Sequence, residues 1–246
     1  MRIISWNIRA GGGRRAAEIA EQLRAWHPDV VVLCEYRATE PSHALAEHLK
    51  SCGLRFQRTT ADPGHRSVNT ILVASRYPAR TVHLGCAPDE PHRWLHVNIS
   101  APQALAVLAV HVPNRASGRK YPFLNALADA ARAWRGSPAL VIGDSNSGRI
   151  AIDEEAPAFN SIEDRWMVRM EQLGWRDAFR LVHPERREFT WYSPNGNNGF
   201  RIDQAFLHPQ LVPRLIAIAH RWGGADRDRR DRLSDHAALV LDLEGD

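Results

Sequence analysis

Several short apolar runs in this chain end at, or begin from, a side chain that can do chemistry. The runs 2–8, 30–34, 104–110 and 139–142 lead to Asn7, Glu35, His111 and the pair Asp144 and Asn146. Asp203 lies within the apolar run 200–207, and Asp235-His236 introduces the run 237–243. Carboxylate and amide oxygens suit Mg²⁺, a hard cation that keeps several waters, and histidines paired with acids suit proton transfer around a phosphate. Sulfur ligands are too few for a zinc site, and no glycine-rich loop ending in lysine is present for a nucleotide phosphate.

Elements must hold these groups. Runs of four to seven apolar, β-branched residues predict buried strands, and open α/β sheets place their sites at strand carboxyl ends. Strands are therefore predicted at 2–8, 30–34, 69–74, 92–99, 104–110, 139–142, 188–192, 200–207, 211–220 and 237–243. Gly143 is expected to turn the chain where the fourth site leaves its sheet. Helices are predicted at 14–26, 41–50, 121–134 and 162–173. In the first, Ala16, Ile19, Ala20, Leu23 and Trp26 form one apolar stripe. The turn-rich stretch 195–199 predicts a hairpin joining 188–192 to 200–207.

Composition bounds the rest. The 246 residues, 44% hydrophobic, carry no repeat or linker and suit one domain, 1–246. Cys34, Cys52 and Cys86 lack metal spacing and read as reduced thiols, and no signal or membrane segment is seen, so a cytoplasmic monomer is expected. The net charge of +4 and pI of 9.3 are compatible with a polyanionic partner. All but Lys50 and Lys120 of the 32 basic residues are arginine.

Taken together, Ser5-Trp6-Asn7-Ile8, residues 28–35, His111-Val112-Pro113-Asn114, Gly143-Asp144-Ser145-Asn146, Arg201-Ile202-Asp203 and Ser234-Asp235-His236 resemble, in order, the motifs of the endonuclease/exonuclease/phosphatase superfamily. That superfamily includes exonuclease III-type abasic endonucleases, DNase I and neutral sphingomyelinases. The resemblance implies an α/β four-layer sandwich, two packed mixed β-sheets with helices outside, and metal-dependent phosphoester hydrolysis. It casts Glu35 as principal Mg²⁺ ligand (Mn²⁺ as substitute), with Asn7 beside it and Asp235 as a further metal-side acid. Asp144 resembles the residue that orients or deprotonates the attacking water, with Asn146 positioning it. His236 resembles the histidine at the scissile phosphate, steadied by Asp203.

Two positions depart from the abasic-endonuclease pattern. Arg9 stands where many members have an acid, and His111 where they have tyrosine, as in the DNase I and sphingomyelinase branches. Pro113-Asn114 follows the abasic branch. Two basic segments adjoin the motifs: Arg9, Arg14 and Arg15, and Arg115, Arg119 and Lys120 after Asn114. Each carries +3 and is expected to grip phosphate. The run 221–235 has five arginines and four aspartates, which favours a self-neutralising loop. Trp191 and Phe200 are expected to wall a pocket for a base-less sugar, the alternative being that both fill the core. The expected function is hydrolysis of nucleic-acid phosphodiesters, DNA favoured. The alternatives are a phosphatase or phosphodiesterase on a small-molecule or lipid head-group substrate, and a catalytically inactive nucleic-acid-binding module.

Overall fold

A computed structural model describes residues 1–136, 138–224 and 233–245. Its strands are β1 (Arg2–Asn7), β2 (Val30–Tyr36), β3 (Phe56–Thr59), β4 (Thr70–Ser75), β5 (Ala79–Thr81), β6 (Trp94–Ile99), β7 (Leu105–His111), β8 (Ala139–Asp144), β9 (Arg176–Asp177), β10 (Trp191–Tyr192), β11 (Gly199–Phe200), β12 (Asp203–Leu207), β13 (Leu215–Arg221) and β14 (Ala238–Leu243). Its α-helices are α1 (Ala16–Ala25), α2 (Glu40–Ser51), α3 (Lys120–Ala133), α4 (Ser161–Gln172) and α5 (Ala178–Val182).

The strands form two six-stranded mixed sheets, ordered β13-β14-β1-β2-β4-β3 and β5-β6-β7-β8-β12-β9, and a two-stranded ribbon of β10 and β11. Alternation along each strand decides the layers. On β1, Ile3 faces a core shared with Val107, Leu140 and Leu207 of the other sheet, whereas Ile4 and Trp6 pack with Ile19 and Leu23 of α1. In the second sheet Leu108 and Val141 turn outward onto Phe123 and Leu127 of α3 and Met167 of α4. Two sheets with helices on both outer faces are the four-layer sandwich expected.

Each sheet holds one parallel pair at its centre, β1 with β2 and β7 with β8. Their carboxyl ends lie at one edge of the sandwich, and there the chemistry gathers. Gly143 acts inside β8 rather than in the turn after it. It has φ 145°, and a Cβ there would lie 1.9 Å from the Val110 carbonyl oxygen of the paired strand.

Several boundaries differ from expectation. The stretch 200–207 is two elements: Gly199–Phe200 pairs with β10, and only Asp203–Leu207 enters the large sheet. The hairpin forms over just Trp191↔Phe200 and Tyr192↔Gly199, and residues 188–190 stay outside any strand. Residues 209–214 form a 3-10 helix, since Pro209 and Pro213 cannot both serve a ladder, and the strand starts at Leu215. Residues 14 and 15 belong to a 3-10 turn that precedes α1. Strands β3, β5 and β9 and the short α5 carry no apolar periodicity that would announce them in the sequence. The run 221–235 falls largely on 225–232, outside the described residues.

Candidate active site

The two parallel pairs bring their terminal residues face to face. β1 ends at Asn7, level with Cys34 on β2. The next residue, Glu35, was read as the end of its strand. It instead sits in a bulge at φ 59°, and pairing resumes at Tyr36↔Thr70. In the other sheet His111 pairs with Asp144, and Asp144 pairs with Asp203 on β12. The Asn7 amide spans the gap between the sheets, donating to Asp144 Oδ2 at 3.0 Å and to Glu35 Oε1 at 3.4 Å.

Around Asp144 the charge is unbalanced. Its carboxylate is buried and also accepts the Asn146 backbone N–H at 2.9 Å. His111 Nε2 lies 3.7 Å and His236 Nε2 4.0 Å from its Oδ2. Burial drives the Asp144 pKa up to about 7. The His236 charge and the Asn7 bond pull against this, and the Asp203 carboxylate adds to it. His236 Nδ1 bonds Asp203 Oδ2 at 2.9 Å. Burial opposes the imidazolium, but the carboxylates of Asp203 and Asp144 outweigh it and raise its pKa to about 10. Burial, Arg93 and His236 push His111 well down, so that imidazole is neutral. One donor atom from each of Asp144, Asp203 and His236 lies within 4.8 Å of the others.

Thr190, outside the motifs, and further residues within them hold this geometry. Thr190 Oγ1 accepts the backbone N–H groups of Ile202 (3.1 Å) and Asp203 (3.2 Å). Trp6 Nε1 donates to the His236 carbonyl at 2.9 Å, and Ser234 Oγ accepts the His236 N–H at 3.2 Å. Asn146 takes φ 46°, a conformation asparagine tolerates, and its side chain donates to the Val112 carbonyl at 2.8 Å.

The sequence matches the endonuclease/exonuclease/phosphatase family model over residues 4–236. The chain belongs to that family. Its fold is similar to three solved structures. One is a 3′ phosphatase from Neisseria bound to a product DNA hairpin (TM-score 0.80, 23% identity, 100% of both chains). Another is a 3′-5′ exonuclease from Neisseria meningitidis (TM-score 0.79, 23% identity, 100% of both chains). The third is an AP endonuclease from Archaeoglobus fulgidus (TM-score 0.77, 20% identity, 100% of both chains). A comparison with curated proteins gives no match.

The family's divalent metal has a fitting donor set. Glu35 has no ion pair among the described residues. Its Oε2 accepts the Ala10 N–H at 2.7 Å, and Asn7 Oδ1 accepts the Arg9 N–H at 3.0 Å. Oxygen donors fixed by backbone bonds fit Mg²⁺. Asp235 is less central. Its side chain is 40% exposed and faces Arg9 at 3.9 Å.

The basic segments divide. Arg9 is exposed beside Asp235, whereas Arg15 is a strut that donates to the carbonyls of Ile8, Arg9 and Leu233. Lys120 is buried, donating to the Asn146 carbonyl and to Glu163. Arg115 also pairs with Glu163, at 3.0 Å, and Arg119 faces Glu90 at 3.4 Å. The +3 seen in the sequence is thus largely answered by Glu163 and Glu90, acids that local counting of residues 114–120 could not reach. Lys120 in particular is no phosphate grip, since its ammonium is spent inside the protein on the Asn146 carbonyl and Glu163.

Trp191 and Phe200 are half-buried and lie 5.8 Å apart, tilted by 40°, with Trp191 6.3 Å from His236. With Ile202, Asn146, Asn114 and Phe159 they line a cleft of about 630 Å³. Phe159 meets Phe200 edge-on at 5.3 Å. No signal in the sequence marked it.

Proposed function

We propose that this protein is a Mg²⁺-dependent phosphodiesterase that cuts DNA. Asp144 and the His236–Asp203 pair act beside an aromatic cleft that receives a base-less or extruded sugar. The observation that carries the reading is a buried carboxylate near neutral pKa, 4.0 Å from a histidine held charged, which itself lies 6.3 Å from Trp191 of that cleft.

Asp144, in its ionised form, takes a proton from the attacking water, and the water oxygen bonds to phosphorus. His236 keeps its proton on Nε2, because Nδ1 is engaged by Asp203, and directs it at a phosphate oxygen where negative charge grows. Neutral His111 and the Asn146 backbone amide hold Asp144 in place. The P–O bond to the leaving nucleoside breaks as its electron pair returns to oxygen. Glu35 and Asn7 would hold the divalent ion, which offsets phosphate charge when bound. Trp191 and Phe200 exclude water around the sugar. A normal nucleotide must unstack and unpair to enter, at a few kcal/mol, and a site that has lost its base costs least.

The fold neighbours named for a DNA 3′ phosphatase, a 3′-5′ exonuclease and an AP endonuclease support a nucleic-acid phosphoester as substrate. The test is a panel of abasic duplex, intact duplex, single-stranded DNA, RNA and a generic small phosphodiester, with Mg²⁺. The reading expects abasic duplex to be cut fastest. Equal rates on abasic and intact duplex would favour a nonspecific nuclease. Turnover of the small ester alone would favour the phosphatase alternative.

A further inference from the structure

Asn146 is pinned at three points, and one of the pins comes from outside the motifs. Its backbone N–H donates to Asp144 Oδ1 at 2.9 Å, and its side chain donates to the Val112 carbonyl at 2.8 Å. Its carbonyl accepts from Nζ of Lys120, the first residue of α3. Residue 146 needs such support. A side chain at φ 46° strains the backbone, and strain of this kind persists only where the surroundings over-determine it.

Glu163 aims the lysine. It is fully buried at the third position of α4. Its Oε2 accepts the Asn160 N–H at 2.8 Å, and the Asn160 side chain accepts the Glu163 N–H at 3.2 Å. This capping box fixes the acid. Its Oε1 accepts from the buried Lys120 ammonium, and Arg115 donates to Oε2 at 3.0 Å. The starts of α3 and α4 thus converge, through one ion pair, on the loop that follows β8.

Stability is a poor reason for this pair. Burial lowers the Lys120 pKa against the pull of Glu163, so the ammonium is held there at a cost. Buried ion pairs contribute little net stability beside apolar residues of similar volume. A helix N-terminus is also the wrong end for a cation, and the first turn of α3 has no acid to answer it. What the pair does is geometric. It fixes the carbonyl of the residue whose N–H orients Asp144.

We propose that Lys120, held by Glu163, is a positioning residue that keeps the Asn146 N–H on Asp144 and so aims the Asp144 carboxylate at the attacking water. The proposal rests on the hydrolytic reading above. It places the effect of Lys120 in the chemical step and not in substrate binding.

The test compares the wild type with Lys120→Met and with the double variant Lys120→Met/Glu163→Gln. The double variant removes both buried charges, and glutamine keeps the cap of α4. It covers the case in which Lys120→Met alone leaves Glu163 short of a partner and fails to fold. Three quantities are read: the single-turnover rate on an abasic duplex in Mg²⁺ with enzyme in excess, the affinity for the same duplex in EDTA across a salt series, and the melting temperature. In the double variant the rate should fall about 10²-fold, the scale of a misplaced reacting group. Affinity and its salt dependence should stay unchanged, and the melting temperature should return toward that of the wild type. Weaker binding with a log–log salt slope smaller by about 1 would make Lys120 a phosphate contact and overturn the proposal. A rate within about tenfold of the wild type would also overturn it, as would a rate that falls only in proportion to the unfolded fraction. If the wild type turns over only a small phosphodiester, the same rate loss on that ester keeps the clamp and removes the nucleic-acid reading alone.

Discussion

Two buried charge clusters lie two residues apart along the chain and are built on opposite plans. Arg201 is fully buried and donates to both oxygens of Asp153 (2.7 and 2.9 Å) and to Asp177 Oδ2 at 2.6 Å. Arg180 also pairs with Asp153. Burial opposes the charges, but the acids hold the Arg201 pKa above its usual value and Arg201 holds Asp153 below its own. Around Asp203 the ledger does not close. Asp144 is forced up to about 7 and Asp203 Oδ1 has no hydrogen-bond partner among the described residues. One cluster satisfies its charges and holds the fold. The other leaves charge unmatched, which suits the proton transfer proposed for it. The motif Arg201-Ile202-Asp203 supplies one residue to each.

The contrast can be broken from either side. The largest effect is expected at the metal-side acid. Glu35→Gln should lower cutting by orders of magnitude with folding intact, and excess EDTA should do the same to the wild type. Full activity in EDTA would remove the metal from the account. His236→Ala should cost about 10³-fold in rate, as loss of a charge-stabilising donor does. A change under tenfold, with the fold intact, would take His236 out of the mechanism.

Arg201→Met strands two buried acids and should destabilise the fold by about 3–5 kcal/mol. For a chain of this size that lowers the melting temperature by about 6–20 °C. An unchanged melting temperature would show that the cluster is not structural.

A smaller effect sharpens the other side. His236 is held charged up to about pH 10, so the proton it supplies is lost as pH rises through that value. Asp203→Asn removes the main source of the shift, and the alkaline limb of kcat/KM should move down toward the ordinary histidine value near 6.5. A limb that stays in place would assign it to another group. The smallest effect concerns substrate choice. Phe200→Ala should reduce the preference for abasic over intact duplex several-fold while slowing overall cutting less. An unchanged preference would return Phe200 to a packing role.

Much of this fold was legible because apolar runs with β-branched residues leave few alternatives. Seven of the central strands, from β1 to β14, carry that pattern, and both sheets grow from them. The short edge strands β3, β5 and β9 escaped detection because they owe their pairing to neighbours rather than to their own composition. At the site, residue type at strand ends located Asn7, Glu35, His111 and Asp144 without any knowledge of contacts. The role of Lys120 was misread for the opposite reason. A lysine in a basic segment looks available for phosphate, and nothing near it in sequence announces Glu163, 43 residues away. Arg201 stands out in the sequence only as part of a motif, since Asp153 and Asp177 reach it from 48 and 24 residues upstream.

The central claim is that Asp144 is left uncompensated for chemistry rather than for stability. Its raised pKa means that the folded carboxyl binds a proton more readily than the unfolded one. It therefore costs stability as pH rises from about 4 through about 7. The decisive measurement pairs two readouts on Asp144→Asn at pH 8: single-turnover cutting of an abasic duplex in Mg²⁺, and the melting temperature. The account predicts a rate lower by about 10³-fold and a melting temperature equal to or above that of the wild type. Cutting within tenfold of the wild type, or a lost rate accompanied by a collapsed melting temperature, would contradict it.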